Sequence, residues 1–375
     1  MIYLDNAATT YPKPECVLNA LDFANRNAFN SGRGGYKEAR QSTKIIDDVR
    51  HKILKINNIS NADVVLLPSS TIALNSIIFG IDIKKGDNIY ISPFEHNSIV
   101  RAVNELKKVY DINIELIPFD KETWELDEKK LVNQFALKKP KAIFISHISN
   151  VTGYLLPYRE IFGLSAKYMS INVLDASQSY GIKKISDLEN INYIVFAGHK
   201  SLYASFGVAG YVKLKKDKLK KIFYGGTGSD SLNLDMPDEF PTGYESGSPN
   251  IVAIAGLNAS LDWLSSVNIL DKEKVMMKYL IENLSKLKNV KLFLPNNLEK
   301  IIGVLSIAVD KYSSDEVGKI LDDEFDICVR TGYHCAPLIH DFIESKDFNG
   351  TVRISIGYFN SYKDIDCLIN AIKTL

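Results

Sequence analysis

A chain of 375 residues is long enough for two domains, because single hydrophobic cores seldom grow past roughly 250–300 residues. Its 45 Lys plus Arg balance 45 Asp plus Glu, so no net field exists to gather nucleic acid or an anionic membrane surface, and a small-molecule partner is expected. Cys16, Cys328, Cys335 and Cys367 form no CxxC or metal-type spacing, no apolar run reaches about eighteen residues, and the start "MIYLDNAATT" is no secretory leader, so a cytoplasmic protein with reduced thiols and no membrane span is expected.

From about residue 40 to residue 215, apolar β-rich runs alternate with amphipathic segments, the pattern of a parallel α/β sheet. Strands are expected at 63–68, 88–92, 114–119, 141–149, 171–176, 193–198 and 208–214, and helices at 37–57, 70–80, 97–109, 127–138 and 158–169. A loop dense in Gly, Ser, Asp and Pro follows at 225–250, then one long helix over roughly 251–287. Beyond it "VKLFLP", "VLSIAVD" and "TVRISIG" read as strands, and "SSDEVGKILDDE" opens with a helix cap signal. The last segment puts Ile365, Leu368, Ile369 and Ile372 on one helical face. The expected division is a large α/β domain over 15–260 and a smaller α+β domain over 261–375, with residues 1–14 packing on the smaller one.

Several segments place chemistry at strand ends, where open parallel sheets form their ligand crevice. "LPSSTIALN" sets Ser69, Ser70 and Thr71 between a strand and a helix, which serves equally as an ordinary N-cap or as a phosphate cradle. In "SPFEHNS", His96 is either a structural imidazole or one that stacks on a pyridine ring. "NVLDASQS" brings Asp175 and Gln178 to a strand end, with Asp175 either a helix cap or a partner for a protonated ring nitrogen. Lys200, in "FAGHKSLYASFG", is alone a snorkelling surface charge; with Asp175 and Gln178 it suits a Schiff-base lysine for pyridoxal phosphate.

"VRTGYHCAPLIH" supplies Arg330, His334 and Cys335. A metal site there lacks a fourth ligand, which leaves Cys335 as either a small core residue or a nucleophile beside a cation. Arg353, within "TVRISIGYFNS", sits on the polar face of a strand by default and otherwise grips a carboxylate through two parallel hydrogen bonds.

The ordered set "YLDNAATT", "EHNS", "SHISNVTG", "LDASQS", "GHK", "GGTGS", "YESGSPN", "RTGYHCAP" and "VRISIGYFN" spans nearly the whole chain. It resembles the class V aminotransferase family of fold type I pyridoxal phosphate enzymes, and within it the group II cysteine desulfurases and selenocysteine lyases. The resemblance implies a large α/β/α domain with a mainly parallel seven-stranded sheet, pyridoxal 5'-phosphate as cofactor, and a homodimer. It implies that Lys200 holds the cofactor, His199 helps bind its phosphate, Asp175 pairs with the ring nitrogen, Gln178 with the ring hydroxyl, and His96 stacks over the ring. It further implies that Ser70 and Thr71 bind the phosphate, joined by Ser248 from the other subunit. Asn150, Arg353 and Arg330 would serve the substrate, and Cys335 would take the sulfur of L-cysteine as a persulfide, release alanine and pass the sulfur to an acceptor protein.

Other readings within the resemblance are a selenocysteine lyase, a C–S lyase on another thio-amino acid, an aminotransferase, an epimerase or a non-catalytic scaffold. The chain departs from the family pattern at Ala204 and Ser205, where relatives favour Gly-Pro, at Ala197, where they have Ser or Thr, and at Tyr36, where they usually have His. These positions bear on phosphate grip and on the mouth of the site.

Overall fold

Burial on both faces explains why six short runs of the chain are mostly apolar. In chain order the computed structural model, which describes residues 1–31, 34–228 and 232–375, has β1 (Ile2–Tyr3), α1 (Glu15–Asn27), α2 (Lys37–Ile56), β2 (Asp63–Leu67), α3 (Ser70–Gly80) and β3 (Asn88–Ile91). There follow α4 (Asn97–Tyr110), β4 (Asn113–Leu116), α5 (Glu128–Leu137), β5 (Pro140–Ser146), α6 (Tyr158–Ser165), β6 (Ile171–Asp175), β7 (Tyr193–Ala197) and β8 (Ala209–Lys213). Strands β2 to β8 form one seven-stranded sheet in the order β2-β8-β7-β6-β5-β3-β4. Only β8 runs against its neighbours, so the sheet is mainly parallel. Along β5, Ile143 and Ile145 join one core and Ala142 and Phe144 the other, the two-residue period of a strand with an apolar layer on each side.

The rest of the chain comprises α7 (Ile251–Leu264), α8 (Ile269–Leu284), β9 (Val290–Phe293), β10 (Val304–Val309), α9 (Ser314–Phe325), β11 (Ile327–Cys328), α10 (Ile339–Phe342), β12 (Val352–Ser355) and α11 (Tyr362–Lys373). An antiparallel sheet of order β12-β10-β9 carries α8, α9 and α11, and β1 pairs with β11 in parallel. One apolar cluster runs from the large sheet through Leu305, Ile307 and Ile354 to Ile365, Leu368, Ile369 and Ile372 of α11.

The single helix expected over 251–287 is two helices. Ser265 and Ser266 turn their hydroxyls back to the carbonyls of Asp262 and Trp263, and Asn268 caps α8 by accepting from Asp271 N at 3.2 Å. Such local side-chain bonds compete with helix continuation and then start a new one. Residue 261 falls inside α7, so the domain division at 260/261 stays a proposal. Four elements match no expected segment: α1, which begins behind Pro14, the two-residue strands β1 and β11, and the four-residue α10, the last three too short to leave a periodic signal.

The N-terminal segment bonds both halves of the chain. Asn6 Nδ2 donates to Ser355 O at 3.0 Å and Asn360 Oδ1 at 3.1 Å, while Thr10 N donates to His199 O at 3.1 Å and Gln178 Nε2 to Ala7 O at 2.9 Å. Within two quoted motifs, residues 32–33 of "SGRGGYKEA" and Ser229 of "GGTGS" lie outside the described residues.

Candidate active site

The carboxyl ends of β5, β6 and β7 stop at Ser146, Asp175 and Ala197 and open onto one cavity of about 240 Å³. It is lined by Lys200, three residues past β7, by Asp175, the last residue of β6, and by Gln178, three residues beyond it. Ser70 and Thr71, which open α3, His96, which caps α4, and Asn150, Arg330 and Arg353 complete the lining. A crevice at strand ends is where a doubly wound sheet places its ligands.

Lys200 is half-buried and lines the cavity rather than the outer surface. Burial pushes its amine down from the usual lysine range, and the Asp175 carboxylate opposes that shift. Asp175 is itself fixed by Ser177, whose N and Oγ donate to Oδ1 at 2.9 and 2.5 Å. His96 is pushed down to about 3 by burial, then by Lys200, Arg330 and Arg353, so its ring is neutral. Ser98 N donates to its Nδ1 at 3.1 Å, which puts the ring proton on Nε2.

At the N-terminus of α3, Ser69 Oγ accepts from Ile72 N at 3.2 Å and is the actual cap. Ser70 and Thr71 therefore sit in the first turn, where backbone N–H groups have no intrahelical acceptor and the helix dipole favours an anion. His199 lines the same cavity; its Nδ1 is buried with no partner, and burial, then Lys200 and Lys13, push its imidazole down to about 3.

Arg353 is 1% exposed, so it is no polar-face surface residue. Its Nη2 donates to Asp5 Oδ1 at 2.6 Å and its Nη1 to Asn150 O at 2.9 Å, while Nε is buried without a partner. Asn150 Nδ2 donates to His334 O at 2.9 Å, tying the cavity wall to the segment that carries Cys335.

Cys335 is exposed, outside the cavity lining but one contact from it: Arg330 Nη2 reaches Cys335 Sγ at 3.6 Å. His334 and Cys335 have φ of +46° and +57°, a left-handed pair that non-glycine residues adopt only where the surroundings hold them. The hold here is Asn97 N donating to Cys335 O at 2.7 Å together with the Asn150 bond. Ser248 is exposed and does not reach this cavity; it borders a separate depression of about 660 Å³ with Gly226 and Glu245. Among the described residues no group of three or more His, Cys, Asp or Glu is placed to hold a metal ion, and no helix is long and apolar enough to cross a membrane.

Three contributors went unnoticed in the sequence. Asp5 lies within "YLDNAATT"; Lys13 follows it, with Nζ donating to Thr10 Oγ1 at 2.8 Å and His199 O at 3.0 Å. Glu95, beside His96, is fully buried and accepts from Ser92 Oγ at 2.5 Å, Ser146 N at 2.9 Å and Ser146 Oγ at 2.7 Å. Burial pushes its carboxyl up to about 7 against those bonds, and it ties the His96 turn to the end of β5. Their motif positions were the available signal, but nothing local marks them as buried.

A mainly parallel seven-stranded sheet with a ligand crevice at its strand ends is the architecture of the fold type I enzymes. The family model for aminotransferase class-V matches residues 2–368, and the chain belongs to that family. It is 31% identical to a cysteine desulfurase of Wigglesworthia glossinidia brevipalpis, over 100% of this chain and 92% of the relative. It is 28% identical to a probable cysteine desulfurase of Methanothermobacter thermautotrophicus, over 98% and 92%. Its fold superposes on the apo structure of a cysteine desulfurase from Thermococcus onnurineus with a TM-score of 0.91 at 26% identity, covering 100% of this chain and 94% of that one.

Membership of the family implies pyridoxal 5'-phosphate, and the residues present fit it. Lys200 Nζ suits its aldehyde, Asp175 its ring nitrogen, and the first turn of α3 with the orphaned His199 Nδ1 its phosphate.

Proposed function

We propose that the protein is a pyridoxal phosphate-dependent cysteine desulfurase that converts L-cysteine to L-alanine and holds the sulfur as a persulfide on Cys335. The observation that carries this reading is the approach of Cys335 Sγ to Arg330, a residue of the same cavity that contains Lys200 and Asp175. Bound in that cavity, the cofactor supplies an electron sink for negative charge at the substrate α-carbon.

The chain's own residues do the rest. Burial keeps the Lys200 amine ready to lose its proton, so that it serves as attachment point and then as base for the α-proton. Asp175 keeps a proton on the ring nitrogen by its negative charge, and neutral His96 offers a flat face and an Nε2 proton. Arg353 has used one N–H on each terminal nitrogen and keeps the others, with Nε, for the substrate carboxylate. The Cys335 thiolate attacks the substrate Sγ; the Cβ–Sγ bond breaks with its electron pair going to Cβ, which takes up a proton on the way to alanine. The outer persulfide sulfur then passes to an acceptor thiol.

Ser248, exposed in one chain, completes the phosphate cradle of a second copy in a homodimer, and a reducing compartment such as the cytoplasm keeps the four cysteines as free thiols. Product analysis with L-cysteine, selenocysteine and cystine tests the reading. Alanine from L-cysteine, lost in Cys335→Ala, is the expected result; undiminished sulfur release by Cys335→Ala removes the nucleophile and with it the proposal.

A further inference from the structure

The family pattern leaves "YASFG" unexplained, and the structure gives part of it a place. Phe206 lies flat against the His199 imidazole, with ring centroids 4.4 Å apart and planes 27° from parallel. The loop from Gly198 to Val208 is closed on itself: Ala204 N donates to Gly198 O at 2.8 Å and Gly198 N to Val208 O at 3.0 Å. Tyr203 and Gly207, with φ of +52° and +90°, bend the chain so that Phe206 returns over His199. Phe206 is 63% exposed, so burial in the core does not account for an aromatic residue there.

The main chain of His199 is already held, since its carbonyl accepts from Thr9 Oγ1, Thr10 N and Lys13 Nζ at 2.9, 3.1 and 3.0 Å. Its ring is not: Nδ1 is buried without a hydrogen-bond partner, in the wall of the cavity that also contains Ser70 and Thr71. Buried polar atoms in native proteins are seldom left unpaired, and this one, in the cavity wall, is free to meet a ligand group. We propose that Phe206 is a positioning residue: by stacking on His199 it fixes the imidazole with Nδ1 toward the phosphate end of the cofactor site. The stack replaces by packing part of the grip that Ala197, without a hydroxyl, does not give. This inference rests on the pyridoxal phosphate reading above.

The test is a double-mutant cycle on cofactor affinity, titrating the full-length apoprotein with pyridoxal phosphate and following the visible absorbance of the Lys200-linked cofactor. Phe206→Ala is expected to raise the dissociation constant about fivefold, the size of one aromatic stacking contact, and Phe206→Tyr to restore it within about twofold. In a His199→Ala background, Phe206→Ala is expected to add nothing further. Full additivity of the two substitutions, or an unchanged constant in Phe206→Ala beside a raised one in His199→Ala, overturns the role of Phe206 and leaves the cofactor reading standing. Failure of the wild-type apoprotein to bind pyridoxal phosphate overturns both.

Discussion

Arg353 Nη2 donates to Asp5 Oδ1 at 2.6 Å across 348 positions of sequence, and this bond joins the first strand-and-turn of the chain to the last sheet beside the cavity. Burial pushes the Arg353 guanidinium down from its ordinary range, and Asp5 is the first group that opposes it. The pair is a single charge balance, because Arg353 is almost wholly enclosed while Asp5 is partly open. Removing the aspartate leaves an enclosed cation without its counter-charge, the costly way to break such a pair. Asp5→Ala is therefore expected to lower stability by about 3 kcal/mol, read from the denaturant midpoint, and to raise KM for L-cysteine as Arg353 loses its orientation. An unchanged midpoint would show that Asp5 does not carry the charge balance.

Gly350 connects stability to the sulfur-bearing turn. It has φ +95°, and a Cβ there would come within 2.2 Å of Gly332 O, in the backbone that leads to Cys335. Gly350→Ala is expected to cost more than about 2 kcal/mol and to reduce sulfur loading of Cys335 while leaving cofactor binding intact. Comparing the urea midpoint, the cofactor absorbance and the loaded sulfur separates these effects; a variant loaded as fully as wild type would show that the turn tolerates the shift.

Glu273 gives a pH dependence of known sign. Its carboxyl is buried beside Gly303, and burial pushes it up to about 8. The folded state thus binds this proton more tightly than the unfolded chain, so the contribution is full at low pH and is lost as pH rises through that value. Lys13, pushed down to about 7 by burial, acts with the opposite sign, which makes the difference between variant and wild type the useful quantity. Glu273→Gln is expected to flatten the fall in stability between about pH 4.5 and about pH 8. Equal slopes in the two proteins would place the titrating group elsewhere.

The large sheet was legible because all its strands but the edge strand β4 are buried on both faces and read as mostly apolar runs; all seven expected strands formed within a few residues of their expected ends. The helix break at 265–268 carried a signal, two serines and an asparagine, that the apolar periodicity on either side masked. Lys200, Asp175, Gln178, His96, Ser70 and Thr71 were legible as strand-end or helix-start residues, and they meet in one cavity. Arg353 was not legible as a buried cation, because its strand alternates normally and its partner, Asp5, lies at the other end of the chain. Glu95 was hidden for a related reason: a carboxylate becomes an interior group only when Ser92, just past β3, and Ser146, at the end of β5, converge on it. The positive φ values of His334 and Cys335 leave no mark in a sequence of ordinary residues.

The most direct measurement of the account is the mass of each cysteine-containing peptide after one turnover of the holoenzyme with L-cysteine under non-reducing conditions. One added sulfur atom is expected on the Cys335 peptide, none on those of Cys16, Cys328 and Cys367, and alanine in equal amount. Alanine formed with no sulfur on Cys335 would contradict it.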